Sequence, residues 1–131
     1  MVDLGDLREG IWPDQLIDFV RQALGLTGVR VVWLGANMAC FGGVVPTLGI
    51  METLVGLAEE IEQRFDIRLR WISGINSSGL DLLAAGRMPQ RVNHARIGEA
   101  EAVPASPLRQ CALLAPGLGG IRLAQLHQMP R

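Results

Sequence analysis

Residues 29–72, VRVVWLGANMACFGGVVPTLGIMETLVGLAEEIEQRFDIRLRWI, decide the reading of the fold. Val29-Arg30-Val31-Val32-Trp33-Leu34 is a β-branched run bounded by glycines, the pattern of a buried strand. A Gly-rich, uncharged loop follows, and Thr47 is placed to cap a helix. Ile50, Leu54, Leu57, Ala58, Ile61 and Phe65 then recur at helical spacing, with Glu59, Glu60, Glu62 and Arg64 largely outside that stripe. Ile67 to Ile72 is another apolar run of strand length. Strand, helix and strand with short connections imply a right-handed crossover, and therefore parallel strands.

Toward the N-terminus, Met1 to Leu4 reads as a short strand entering the acidic turn Gly5-Asp6. Pro13 suits the first turn of a helix whose apolar face is Leu16, Ile17, Val20 and Leu24, stopped by Gly25. Toward the C-terminus, Ser73 to Ser78 turns the chain into a short helix, Leu80 to Ala85, closed by Gly86. Arg91 to Ile97 completes a set of about four parallel strands with intervening helices, an α/β fold whose ligand loops lie at the carboxyl ends of the strands. Residues 1–100 carry this rhythm. Residues 101–131 form a divergent tail rich in Ala, Leu, Pro and Gly. In it Ser106-Pro107 is a candidate helix start running to Ala115, and Ile121 to Met129 is weakly helical.

The 131 residues suit one domain, and their composition (49% apolar, 19% charged, formal net charge −1) excludes a disordered tail or a basic nucleic-acid-binding arm. Val31 to Met51 carries no charge, but Gly35, Asn37, Gly42, Gly43, Pro46 and Gly49 would break a spanning helix, so no membrane segment is expected. The start lacks the basic and apolar regions of a signal peptide. Cys40 and Cys111 make neither a disulfide framework nor a zinc site, so a cytoplasmic location is expected. There is no Tyr, and all 12 basic residues are Arg. Chemistry that needs a Lys Schiff base, a Lys general base or a phenolic acid is closed to this chain acting alone.

Two segments carry candidate ligand chemistry. Gly74-Ile75-Asn76-Ser77-Ser78-Gly79, at a strand-to-helix junction, has the parts of a phosphate cradle and equally those of a simple helix cap. Arg96-Ile97-Gly98-Glu99, at the end of the last strand, either presents Arg96 to an anion or pairs it with Glu99. Gly35 to Gly43 fits neither nucleotide-loop pattern, and Cys40 reads as a small buried residue. His94 reads as a structural hydrogen-bonding residue, while His127, in the tail, carries little weight. Asp3, Asp6 and Glu9 read as a solvated acidic turn.

Together, residues 1–10 (MVDLGDLREG), 35–43 (GANMACFGG), 72–78 (ISGINSS) and 93–100 (NHARIGEA) resemble consecutive blocks of the fold-type III, pyridoxal-phosphate-dependent amino-acid racemases, in the alanine racemase-like branch that includes ornithine racemases. That resemblance implies part of a (β/α)8 TIM-type barrel over residues 1–100, with pyridoxal 5′-phosphate as cofactor and a small-molecule amino acid as substrate. By the same resemblance, Asn76, Ser77 and Ser78 belong to the phosphate site, and Gly98 and Glu99 contribute backbone to it. Arg96 matches the arginine facing the pyridine nitrogen. Ile75 departs from the family, which usually has a second Gly there. The family's Schiff-base Lys lies on the first barrel strand, before the part that this chain matches. A fragment of this kind is expected to be inactive alone, with no catalytic residue and no metal of its own, and either to associate with itself or to need a complementing first half. The alternative is a non-catalytic anion-binding or interaction module, or an inert gene remnant, in which the tail covers an exposed sheet edge.

Overall fold

The computed structural model describes residues 1–7, 10–38, 43–96 and 122–124. A 3-10 turn at Pro13–Gln15 leads into α1, Leu16–Leu24. Then come β1, Trp33–Gly35, and α2, Leu48–Phe65. β2, Trp71–Ile75, passes through a 3-10 turn at Ser77–Gly79 into α3, Leu80–Ala84. β3, His94–Arg96, and β4, Arg122–Ala124, complete the set. The strands form one sheet in the order β1-β2-β3-β4, and every neighbouring pair is parallel. The expected α/β class and parallel sheet are present.

The long helix forms as its sequence dictates. Thr47 accepts a hydrogen bond from the Ile50 N–H at 3.3 Å, which satisfies one of the free donors of the first turn. Met51, Leu54, Ala58 and Ile61 fall on one stripe and are buried. Burying each of the larger ones contributes roughly 1.5–3 kcal/mol. Asp66, at φ 50°, ends the helix in the left-handed conformation. Glu62 ties the helix to the sheet: its carboxylate accepts from the Leu69 N–H at 2.8 Å and from Arg91 Nη2 at 2.8 Å to each oxygen.

The two faces of the sheet differ. Leu34, Ile72 and Gly74 belong to the helix-covered face, where a Cβ on Gly74 would meet Met51 Sδ at 2.6 Å. The opposite face carries Trp33 and Trp71, which are register partners, with Ser73 paired to His94 and then Arg96. Trp33 is 41% exposed there, whereas Ser73 is fully buried.

Several boundaries differ from expectation. Met1 to Leu4 is not a sheet strand: it makes a lone parallel bridge from Val2 to Ile11, with the Val2 N–H donating to Gly35 O at 2.8 Å. The strand expected at Val29–Leu34 is displaced to Trp33–Gly35, because the ladder starts only where Val32 O meets the N–H groups of Arg70 and Trp71. Likewise Ile67–Ile72 is displaced to Trp71–Ile75, so that Ser73, Gly74 and Ile75, read as a turn, are strand. In the tail, the weakly helical reading of Ile121 to Met129 is corrected at Arg122–Ala124 by β4, which pairs with β3, and the rest of that range lies outside the described residues. The helix expected at Ser106 to Ala115 lies outside the described residues. No helix among the described residues is long and apolar enough to cross a membrane.

Candidate functional site

The carboxyl ends of the strands gather most of the candidates. Arg96 ends β3, two residues from His94 and on the same face. Its guanidinium reaches past β2: Nη2 donates to Ala36 O at 3.0 Å, just beyond β1, and Nη1 lies 3.5 Å from Met1 Sδ. Its Nε–H is buried with no hydrogen-bond partner among the described residues.

Asn76 follows β2 and caps the 3-10 turn, its Oδ1 accepting from the Ser78 N–H at 3.1 Å and from the Ser78 hydroxyl. Its Nδ2 donates to Met38 O, which pins the loop after β1 to the loop after β2. Asn76 and Ser78 therefore shape the turn through their side chains. Ser77 opens that turn. Gly98 and Glu99 lie outside the described residues, as do Cys40, Glu9 and His127.

Ser73, fully buried, and His94 share a hydrogen bond of 2.9 Å between Oγ and Nδ1. Burial first, and then the Arg96 charge, lower the pKa of His94 below its ordinary value. His94 is hydrogen-bonded, as the sequence reading expected. Sequence reasoning missed Ser73 because it placed that residue in a turn.

The solvated reading of Asp3 and Asp6 is overturned. Asp3 is 7% exposed and Asp6 only 2%. Asp3 closes its own turn by accepting from the N–H groups of Gly5 at 2.8 Å and Leu7 at 3.3 Å. Gly10, at φ 127°, brings the chain back so close that a Cβ would sit 2.7 Å from Asp3 N. A groove of about 550 Å³ lined by Glu59, Glu62, Gln63, Arg68 and Arg91 surrounds the Glu62 ion pairs, whose charges satisfy one another, and it holds none of these candidates. No group of three or more metal-ligating side chains occurs among the described residues.

The fold is an α/β domain whose candidate residues gather at the carboxyl ends of parallel strands. Over 100 residues, 76% of the chain, it is 36% identical to the lysine racemase of Thermotoga maritima and, over the same length, 34% identical to the ornithine racemase of Acetoanaerobium sticklandii. These matches support a fragment of the alanine racemase-like family of amino-acid racemases. The chain spans 27% and 28% of the lengths of these two relatives. No family model matches the chain, and no solved structure matches it.

Proposed function

We propose that this chain supplies the phosphate and pyridine side of a pyridoxal-phosphate site in a racemase-type (β/α) barrel, and that it does not racemise amino acids by itself. The observation that carries the proposal is Arg96, anchored on Ala36 O with a buried Nε–H that no described residue satisfies. The residues present fit the cofactor: Arg96 is a permanent cation that would face a ring nitrogen, and Asn76, Ser77 and Ser78 make a turn of small polar residues after β2 that would take the phosphate. Pyridoxal phosphate, when bound, supplies the electron sink that acidifies the α-proton of an amino acid.

The chain's own share is positional. Arg96 disfavours protonation of a ring nitrogen beside it, which limits electron withdrawal and favours racemisation over side reactions. The Asn76 bond to Met38 O holds two loops together at the phosphate end. Gly98 and Glu99 add backbone there by family resemblance. The covalent anchor comes from outside, because the chain has no Lys. Its substrate is an amino acid, and its partner is a complementing first half of the barrel.

Co-expression with the preceding part of the Thermotoga maritima lysine racemase, followed by chiral chromatography, tests this reading. We expect no racemisation from the purified chain and measurable racemisation from the assembled pair. Racemisation by the chain alone would overturn the proposal, as would an assembled pair that stays inert.

One observation favours a second reading, a non-catalytic anion-binding or interaction module. β4 pairs along β3 and covers the edge that a neighbouring barrel strand would take. A monomer with a cooperative melt favours this module, whereas concentration-dependent association favours the fragment.

A further inference from the structure

Residues 36–38, just beyond β1, are held by both candidate segments at once. Arg96 Nη2 donates to Ala36 O at 3.0 Å, and Asn76 Nδ2 donates to Met38 O. The Ala36 N–H donates in turn to Ser73 O at 3.0 Å, so the stretch carries the parallel pairing past the end of β1. Ala36 and Met38 are buried, while Asn37 between them is only half-buried. The one polar side chain of the stretch therefore sits at the carboxyl edge, between the two carbonyls that Arg96 and Asn76 hold.

Several neighbouring polar groups are committed to the protein. Asn76 uses its amide on Met38 O and on Ser78, and the Ser78 hydroxyl donates back to Asn76 Oδ1. Ser73 is fully buried and bonded to His94. An amide offers two N–H donors and an oxygen with two acceptor sites, so Asn37 can serve a ligand while keeping a contact within the protein. With a bonded carbonyl on each side, its backbone is fixed before any ligand arrives, which lowers the ordering cost of binding.

We propose that Asn37 is a further ligand-binding residue of this edge, its side-chain amide donating to the ring hydroxyl oxygen of a phosphorylated hydroxypyridine. This rests on the racemase reading. In that reading Arg96 faces the ring nitrogen, the turn at Asn76 to Ser78 takes the phosphate, and the aldehyde belongs to a covalent anchor outside the chain. The ring oxygen is then the polar group left for this edge to hold. A neutral amide suits it, because that oxygen accepts a hydrogen bond whether or not it carries its proton.

The test combines two ligands with two forms of the full ¹⁵N-labelled chain, read by NMR. Pyridoxal 5′-phosphate and its 3-deoxy analogue, which lacks only the ring hydroxyl, are titrated into the parent chain and into Asn37→Ala. On the parent, pyridoxal 5′-phosphate should move the Asn37 side-chain amide signals saturably and bind about tenfold more tightly than the deoxy analogue. In Asn37→Ala that difference should vanish, since both changes remove the same hydrogen bond. A residue that only shapes the loop would weaken both ligands alike, and such equal losses would overturn the proposal. If the variant does not fold, the two ligands and the side-chain signals of the parent decide the matter. Shifts at the Asn76 to Gly79 amides with the Asn37 side chain unmoved remove the role of Asn37 and leave the racemase reading. Shifts at neither place remove both.

Discussion

Arg96 on β3 donates from Nη2 to the carbonyl of Ala36 at 3.0 Å, joining the ends of two strands that are not neighbours in the sheet. β2 lies between them, so this one guanidinium closes the carboxyl edge above it. A charge-assisted bond of this kind contributes about 1.5–3 kcal/mol. We expect Arg96→Ala to lower the urea-unfolding free energy by that amount. Arg96→Lys should recover only part of it, since an ammonium cannot present the same fork of donors.

Glu62 and Arg91 give a second, independent prediction. Glu62, its side chain 11% exposed, accepts both Arg91 contacts and the Leu69 N–H. Glu62→Ala leaves a part-buried cation and a backbone donor unpaired, and should cost about 2–4 kcal/mol in chemical denaturation. Glu62→Gln keeps an acceptor for Leu69 and should cost about half as much.

Gly74 tests how closely β2 lies on α2. A Cβ there would meet Met51 Sδ at 2.6 Å and Leu54 Cδ2 at 3.0 Å. Gly74→Ala should therefore destabilise the fold by about 1–3 kcal/mol through overpacking. Shortening Met51 to Val in the same chain should recover part of the loss, and a double-mutant cycle in urea measures that coupling.

These residues also show what was legible in the sequence. α2 was readable to within a residue, because Thr47 caps it and Leu54, Ala58 and Ile61 of the expected stripe are buried, although Met51, which that stripe left out, is buried with them. The crossover to a parallel strand followed from the short connections around it. Strand limits were not readable, because pairing depends on where a neighbour's N–H groups fall. Val29 is 45% exposed despite its β-branched run, while Ser73-Gly74-Ile75 has turn composition yet lies in β2. Gly74 is small there because of α2, a contact no local pattern announces. The burial of Asp3 and Asp6 is likewise tertiary: the residues look solvated until the chain returns through Gly10. Arg96 and Asn76 were marked in the sequence, but their acceptors, the carbonyls of Ala36 and Met38, carry no side-chain signal.

His94 makes stability depend on pH. Burial, reinforced by Arg96, lowers the pKa of the folded-state ring below its ordinary value of about 6.5. The unfolded chain then takes up the proton first, so the contribution is complete above that ordinary value and is lost as pH falls through the folded one. Stability measured by urea unfolding should decline on acidification across this window. His94→Gln should flatten the decline, and an NMR titration of the ring should give a midpoint below that of a free imidazole.

The central claim is that this chain presents the phosphate and pyridine side of a cofactor site. The most direct measurement compares pyridoxal 5′-phosphate with pyridoxal, its phosphate-free analogue, by ¹H–¹⁵N NMR of the full chain. The account predicts saturable shifts at the Asn76 to Gly79 amides and at the Arg96 guanidinium for the phosphate ester, with pyridoxal at least about tenfold weaker. Equal responses to the two compounds, or shifts that avoid both segments, would contradict it.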